Sequence, residues 1–160
     1  QGDQRKFFAF FQAQALAVVL FSVPFAVAAN NPAESFGPWT ALGLLIWVSS
    51  LAGESIADLQ LSRFRANARN RGTTCRTGFW RYSRHPNYFF EWLHWFAYVC
   101  LAIGAPFGWL ALFGPILMWI SLRWISGVPF VEAQALRSRG DNYREYQRTT
   151  NAIIPWFPKS

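Results

Sequence analysis

The sequence predicts an all-α integral membrane protein with about four transmembrane helices. Both termini are cytoplasmic, with a cytoplasmic arginine-rich loop and an amphipathic C-terminal tail. Three observations predict this class: composition, long apolar stretches, and a one-sided distribution of positive charge. Of the 160 residues, 52% are hydrophobic and 19% aromatic, while only 14% are charged. Soluble domains carry roughly 25% charged residues, so this chain is poor in the side chains that cover a wetted surface. Low charge with high aromatic content also excludes a disordered chain, which needs the opposite balance. The length is that of a single domain, and residues 1–160 are read as one transmembrane domain.

The spans follow from the roughly 20 apolar residues that a helix needs to cross the hydrocarbon core. Residues 7–29 meet that length with no charge, interrupted only by Pro24, which a membrane helix tolerates. This stretch is too long for a signal-peptide core and lacks a small-residue cleavage site, so it belongs to the structure. Asn30, Asn31 and Pro32 end it. Residues 38–59 form the second span, with Pro38 in the first turn, where proline costs little, and Glu54 and Asp58 in the last turns. The third runs from about residue 88 to 103 and stops at Gly104-Ala105-Pro106. The fourth covers about residues 107–131 and is interrupted by Pro115, Gly127 and Pro129. From Glu132 onward the chain is polar and reads as an amphipathic helix, before the aromatic end Ile154-Pro155-Trp156-Phe157-Pro158.

Positive charge sets the orientation. The net charge of +7 comes from 15 Lys and Arg against 8 Asp and Glu. Arg5 and Lys6 precede the first span, and Arg63, Arg65, Arg69, Arg71, Arg76, Arg81 and Arg84 lie between spans two and three. Arg137, Arg139, Arg144, Arg148 and Lys159 follow span four, while residues 30–37 and 104–106 hold no cation. Fourteen of the fifteen cations therefore fall on one side, with Arg123 inside span four. By the positive-inside rule that side is the cytoplasm. The basic balance thus reflects topology and implies no nucleic-acid partner. Arginines beside membrane helices commonly anchor to anionic lipid headgroups. Seven in one loop also suit the phosphates of an anionic cofactor, which guanidinium groups bind bidentately. Cys75 and Cys100 supply neither a disulfide framework nor a metal-ligand spacing, so no metal is expected.

Ionisable residues at membrane depth mark candidate sites. Glu54 and Asp58 share a helix face that continues through Leu61 to Arg65. They either join arginines in an ion-pair network holding helix two against helix three, or accept hydroxyl or amide protons from a ligand. In the polar run Trp80 to Glu91, Pro86 is suited to open a helix, and His85 before it is biased to extended backbone. Asn87, Tyr88 and Glu91 then fall in the first turns and can face one pocket. His94 reads as a structural hydrogen-bonding group. Tyr143 and Tyr146 in the tail either stack on a ligand ring or anchor a surface helix at the headgroups.

The run Arg84-His85-Pro86-Asn87-Tyr88 followed by Glu91 resembles the signature of the steroid 5-alpha-reductase family, shared by sterol C14-reductases and a large group of bacterial membrane proteins. Glu54-Ser55-Ile56-Ala57-Asp58-Leu59-Gln60 with Phe64 and Arg65 is similar to that bacterial group's second motif. Glu132, Gly140, Tyr143, Tyr146 and Ile154-Pro155 resemble its third, and the likeness covers roughly residues 40–160. The resemblance implies an NADPH-dependent reductase of a carbon–carbon double bond in a steroid- or lipid-like substrate, placed in a bacterial inner membrane rather than the endoplasmic reticulum. It implies that Asp58, Arg65, Arg84, His85, Asn87, Tyr88 and Glu91 line the cofactor pocket. Glu132, Arg139, Tyr143 and Tyr146 would close it from the tail. Relatives carry further N-terminal helices with a catalytic acid and tyrosine, which this chain is expected to lack, so no proton donor is assigned. They also usually have glycine where this chain has Phe90, whose ring either narrows the pocket or faces lipid.

Two other functions share these features. Membrane methyltransferases of the isoprenylcysteine carboxyl or phospholipid type carry an Arg-His-Pro-x-Tyr motif and a similar tail, but bind S-adenosylmethionine. Asn87 and the Glu54, Asp58, Gln60 element favour the reductase, as does an arginine loop suited to several phosphates. The third reading is a non-enzymatic membrane subunit that keeps the fold.

Overall fold

Two long apolar helices open the chain. The computed structural model describes residues 2–33 and 36–159, so Glu34 and Ser35 of the first short connection lie outside the described residues. The protein is all-helical at 76% helix, with no strand among the described residues. Helix α1 (Gly2–Ala29) keeps Pro24 inside it, buried against the helix that follows the third connection. Its Phe7, Phe8, Phe10 and Phe11 are each more than half exposed. Apolar area on that scale has no place in water and fits a hydrocarbon surround. Helix α2 (Pro38–Ala66) begins with proline in its first turn and runs seven residues past the expected end of span two. Its last turns, bearing Arg63 and Arg65, stand beyond the apolar stretch.

Helix α3 (Pro86–Leu101) starts at Pro86 as the sequence predicts, with His85 outside it at φ −139°. Its 16 residues rise about 24 Å at 1.5 Å each, short of the roughly 30 Å hydrocarbon core. The expected third span, about residues 88–103, is met by a helix of the same length placed two residues earlier and closed by the turn through Gly104 at φ +94°. Among the described residues, three helical stretches are long and apolar enough to cross a membrane: Asp3–Ala29, Pro38–Ala66 and Gly108–Arg139. The last is segmented. A 3-10 turn (Gly108–Leu112) leads into α4 (Phe113–Ile120), then a π-helical turn (Ser121–Ile125), then α5 (Val128–Arg139). The break falls at Ser126 and Gly127, just ahead of Pro129, rather than at Pro115.

Helices α2 and α3 form the most extensive pair in the molecule. Gly43 and Gly53 of α2 let α3 approach closely: a Cβ on Gly53 would overlap the Phe90 ring, and one on Gly43 would crowd Leu101. Phe90 also meets Phe79 at 5.3 Å between ring centroids. Its ring thus neither lines the pocket nor simply faces lipid; it fills the hollow that Gly53 leaves in the α2–α3 seam.

The tail departs from one amphipathic helix. Gly140 (φ +50°) separates α5 from α6 (Asp141–Thr149), because a residue in that conformation cannot continue a helix. Residues 150–159 then run beside the start of α3. Arg84 N donates to Asn151 O at 2.9 Å, His85 N to Ala152 O at 3.0 Å, and Trp156 N to Tyr82 O at 2.9 Å.

Candidate functional site

The arginine-rich loop is fastened to α2 by two side chains. Trp80 Nε1 donates to Ala57 O at 2.9 Å, and Phe79 N donates to Gln60 Oε1 at 2.9 Å. Gly78, at φ +60°, lies so close to the Gln60 amide that a side chain there would overlap it. Gln60 therefore holds the loop rather than facing the cavity. With the loop fixed, Thr74, Cys75 and Trp80 form one wall of a cavity of about 240 Å³. Helix α2 contributes Asp58, Leu61 and Arg65 to that cavity, and the α3 start contributes His85, Asn87 and Tyr88. Arg84, Arg139, Tyr143 and Tyr146 complete it from the α3 approach, α5 and α6. Val131 lines it as well.

Nine of the eleven residues read from the sequence thus converge on one cavity: Asp58, Arg65, Arg84, His85, Asn87, Tyr88, Arg139, Tyr143 and Tyr146. Glu91 and Glu132 are not in its lining. Glu91 sits one turn further along α3, within electrostatic range of Glu54 and Asp58. Glu132 stands behind the wall and organises it. Its Oε1 accepts from Arg84 Nε at 2.7 Å and contacts His85 Nε2 at 3.1 Å, while Oε2 accepts from Gln147 Nε2 at 2.6 Å. Arg84 Nη1 also donates to Gln147 O and Thr150 O. Most of the Arg84 guanidinium is therefore committed to the protein itself. The His85 ring lies flat on Tyr88, at 5.2 Å and 14°.

The acids of α2 and α3 do not pair with the arginine loop. Among the described residues the ion pairs are Arg76–Glu145, Arg84–Glu132, His85–Glu132 and Arg144–Asp141. Asp58 instead accepts from Asn87 Nδ2 at 3.1 Å, joining α2 to α3 through a neutral donor. That bond fixes Asn87 with its Oδ1 buried and without a partner. The hydroxyl of Thr74, in the loop wall, is likewise buried and has no partner among the described residues. Buried polar groups nearly always find partners, so two unmet atoms in side chains that border one cavity mark it as the candidate ligand site. His94, by contrast, meets its expectation as a structural group, with Nε2 at 3.1 Å from Tyr98 Oη.

Tyr143 and Tyr146 are not headgroup anchors. Both are buried, and Tyr146 Oη donates to Trp80 O and lies 3.0 Å from Ser83 O. Burial pushes both phenols well above the usual tyrosine range, so they act as neutral hydrogen-bonding groups. Arg139 lies over the Tyr143 ring at 5.2 Å and Arg76 over the Tyr146 ring at 5.6 Å. Thr74 and Cys75 carried no sequence signal, since neither belongs to a motif and only the loop's anchorage turns them inward.

Fold and site together define a helical protein of membrane character with a polar, arginine-lined cavity where its helix ends, loop and tail meet. The chain belongs to the family described as protein of unknown function (DUF1295), a steroid 5-alpha-reductase-like family, whose family model matches residues 1–150. No curated protein and no solved structure matches it.

Proposed function

We propose that this protein is a membrane-embedded reductase that uses NADPH to reduce a carbon–carbon double bond in a steroid- or lipid-like substrate. The observation that carries the reading is the pair of orphaned polar atoms, Asn87 Oδ1 and the Thr74 hydroxyl, in residues bordering a cavity that Arg65 and Arg139 also line. The donor set fits a reduced dinucleotide. Asn87 Oδ1 accepts from a carboxamide, Thr74 bonds a ribose hydroxyl, and the arginines take phosphate oxygens. At about 240 Å³ the cavity is smaller than the roughly 300–1,000 Å³ of drug-sized sites, so it seats one end of such a molecule. When bound, the nicotinamide supplies a hydride. The chain's own part is positional: Asp58 holds Asn87, Glu132 holds Arg84 and His85, and His85 braces the Tyr88 ring at the cavity wall.

The same reading sets the membrane arrangement. Helix α3 serves as a third crossing between the long ones, giving four spans with both termini and the cavity on the cytoplasmic side of a bacterial inner membrane. The cation distribution supports this, since the two opposite connections carry no Lys or Arg.

Ligand binding to the native state raises its unfolding temperature. Purified protein in detergent is expected to gain thermal stability with NADPH. Asn87→Ala is expected to lose most of that gain, with only a small drop in the ligand-free unfolding temperature from the lost bond to the exposed Asp58. Stabilisation by S-adenosylmethionine alone overturns the reductase in favour of a methyltransferase. No response to either supports a non-enzymatic subunit.

A further inference from the structure

The α2–α3 seam carries more polar side chains than the cavity at its one end uses. On α3, Asn87, Glu91, His94 and Tyr98 follow at spacings of four, three and four, so they share a helix face. Every other residue from Phe89 to Val99 is Phe, Trp, Leu, Ala or Val. On α2, Ser50, Glu54 and Asp58 form a matching stripe at spacings of four. The two stripes meet. Asp58 accepts from Asn87, the Trp47 ring lies 6.1 Å from that of His94, and Glu91 is within electrostatic range of Glu54 and Asp58. None of the three carboxylates forms an ion pair among the described residues. Acids and histidines placed at membrane depth in this way mark routes for protons or ions.

Two further observations carry the stripe beyond a cluster of acids. Ser50 is fully buried on the part of α2 that Gly43 and Gly53 bring against α3, and its hydroxyl has no partner among the described residues. Such a hydroxyl, one turn from Glu54, is a seat for a water molecule. At the far end, the bond that holds His94 (Nε2 to Tyr98 Oη, 3.1 Å) also connects it to a second, open cavity of about 370 Å³. Tyr98 lines that cavity with Phe25, Asn31, Thr40 and Leu101, while Asp58 lines the first. The stripe thus joins cavities at opposite ends of α3. From Asn87 to Tyr98 the helix rises only about 16 Å at 1.5 Å per residue.

We propose that this stripe is a proton path from the cavity at Tyr98 to the cavity at Asp58. Imidazole takes a proton on one ring nitrogen and releases it from the other, so His94 passes inward what reaches it through Tyr98. The remaining steps are single helical turns, about 5–6 Å between Cβ atoms, and a bridging water closes each one. Ser50 holds the water between His94 and the Glu54–Glu91 pair. The path itself is independent of the reductase reading, but its use rests on that reading. Reduction of a carbon–carbon double bond adds a hydride to one carbon and a proton to the other, and leaves the nicotinamide oxidised. The path supplies that proton at its Glu91–Asp58 end, and water in the Tyr98 cavity replaces it. With the topology proposed above, the proton enters from outside while the hydride comes from the cytoplasmic side.

The test places the full chain in sealed phosphatidylcholine vesicles that enclose a pH-sensitive dye. An outward potassium gradient with valinomycin sets an inside-negative potential, and acidification of the lumen is followed. Wild type is expected to acidify faster than protein-free vesicles, and His94→Phe and Glu91→Gln to fall to the protein-free rate. Ser50→Ala is expected to slow the flux without lowering the unfolding temperature, because its hydroxyl has no protein partner to lose. Equal flux in wild type and His94→Phe overturns the path, as does no flux above the protein-free rate whether NADPH is present or absent. If His94→Phe fails to fold, Ser50→Ala decides, and a flux equal to wild type overturns the path. Flux that depends on Ser50, in a protein that NADPH does not stabilise, keeps the path and removes its use in reduction. Stabilisation by NADPH with no flux overturns the path and leaves the reductase reading standing.

Discussion

Glu132 shows how much a single carboxylate can organise. It gathers Arg84, His85 and Gln147 from two different parts of the chain, and both it and Arg84 keep only 12% of the side chain exposed. Removing one partner of such a buried set leaves the other charge uncompensated, which costs about 3–5 kcal/mol. Glu132→Ala is accordingly expected to lower unfolding stability in detergent by about 3 kcal/mol. Glu132→Gln should lose less, since its amide oxygen still accepts from Arg84. A loss below about 1 kcal/mol in the alanine variant, the usual worth of a surface pair, would show that the network does not hold the site together. From the sequence, Glu132 was legible as an acid belonging to the site. Its partners were not, because His85 lies 47 residues away and nothing local signals the contact. The same holds for Arg84, whose motif position suggests phosphate binding while its hydrogen bonds tie it to the tail.

Among the elements, the α2–α3 seam depends on one complementary pair. Phe90 fills the space over Gly53, so the bulky residue at the motif's usual glycine position is matched by a glycine on the neighbouring helix. Gly53→Ala forces the ring to move, and overpacking of this kind costs about 1–3 kcal/mol. Phe90→Ala leaves a cavity costing about 3–5 kcal/mol when fully buried, and less here because the ring is half-buried. The double variant is expected to be more stable than the sum of the two losses, since residues in contact couple. Strict additivity in thermal unfolding would mean that the two side chains do not share the space. The beginning of α3 was readable from Pro86, whose fixed φ suits a first turn. Its approximate length was readable too, since Gly104-Ala105-Pro106 marks where the apolar run must turn. The division of the tail into α5 and α6 was hidden, because Gly140 is a weak signal until its backbone angle is seen.

At the scale of the whole molecule, the proposed topology makes a labelling prediction. In a background with Cys75→Ser and Cys100→Ser, Ala33→Cys is expected to react with an impermeant maleimide added outside intact cells. Ala68→Cys should react only after the inner membrane is opened. The opposite pattern would invert the protein, and labelling of both from one side would remove a crossing.

The sequence by itself determined the helical membrane class, the clustering of cations, the opening of α3 at Pro86 and most of the cavity's residue types. These are local properties: apolar length, charge position and the fixed angle of proline all act within a few residues. Only the tertiary structure decided which side chains hold the site and which are left with unmet hydrogen bonds. It placed Glu132 behind the wall and left Asn87 Oδ1 and the Thr74 hydroxyl, in two residues bordering one cavity, without partners among the described residues. Whether a polar atom is satisfied depends on partners brought together from distant parts of the chain. That is settled when loop, helix ends and tail pack against each other.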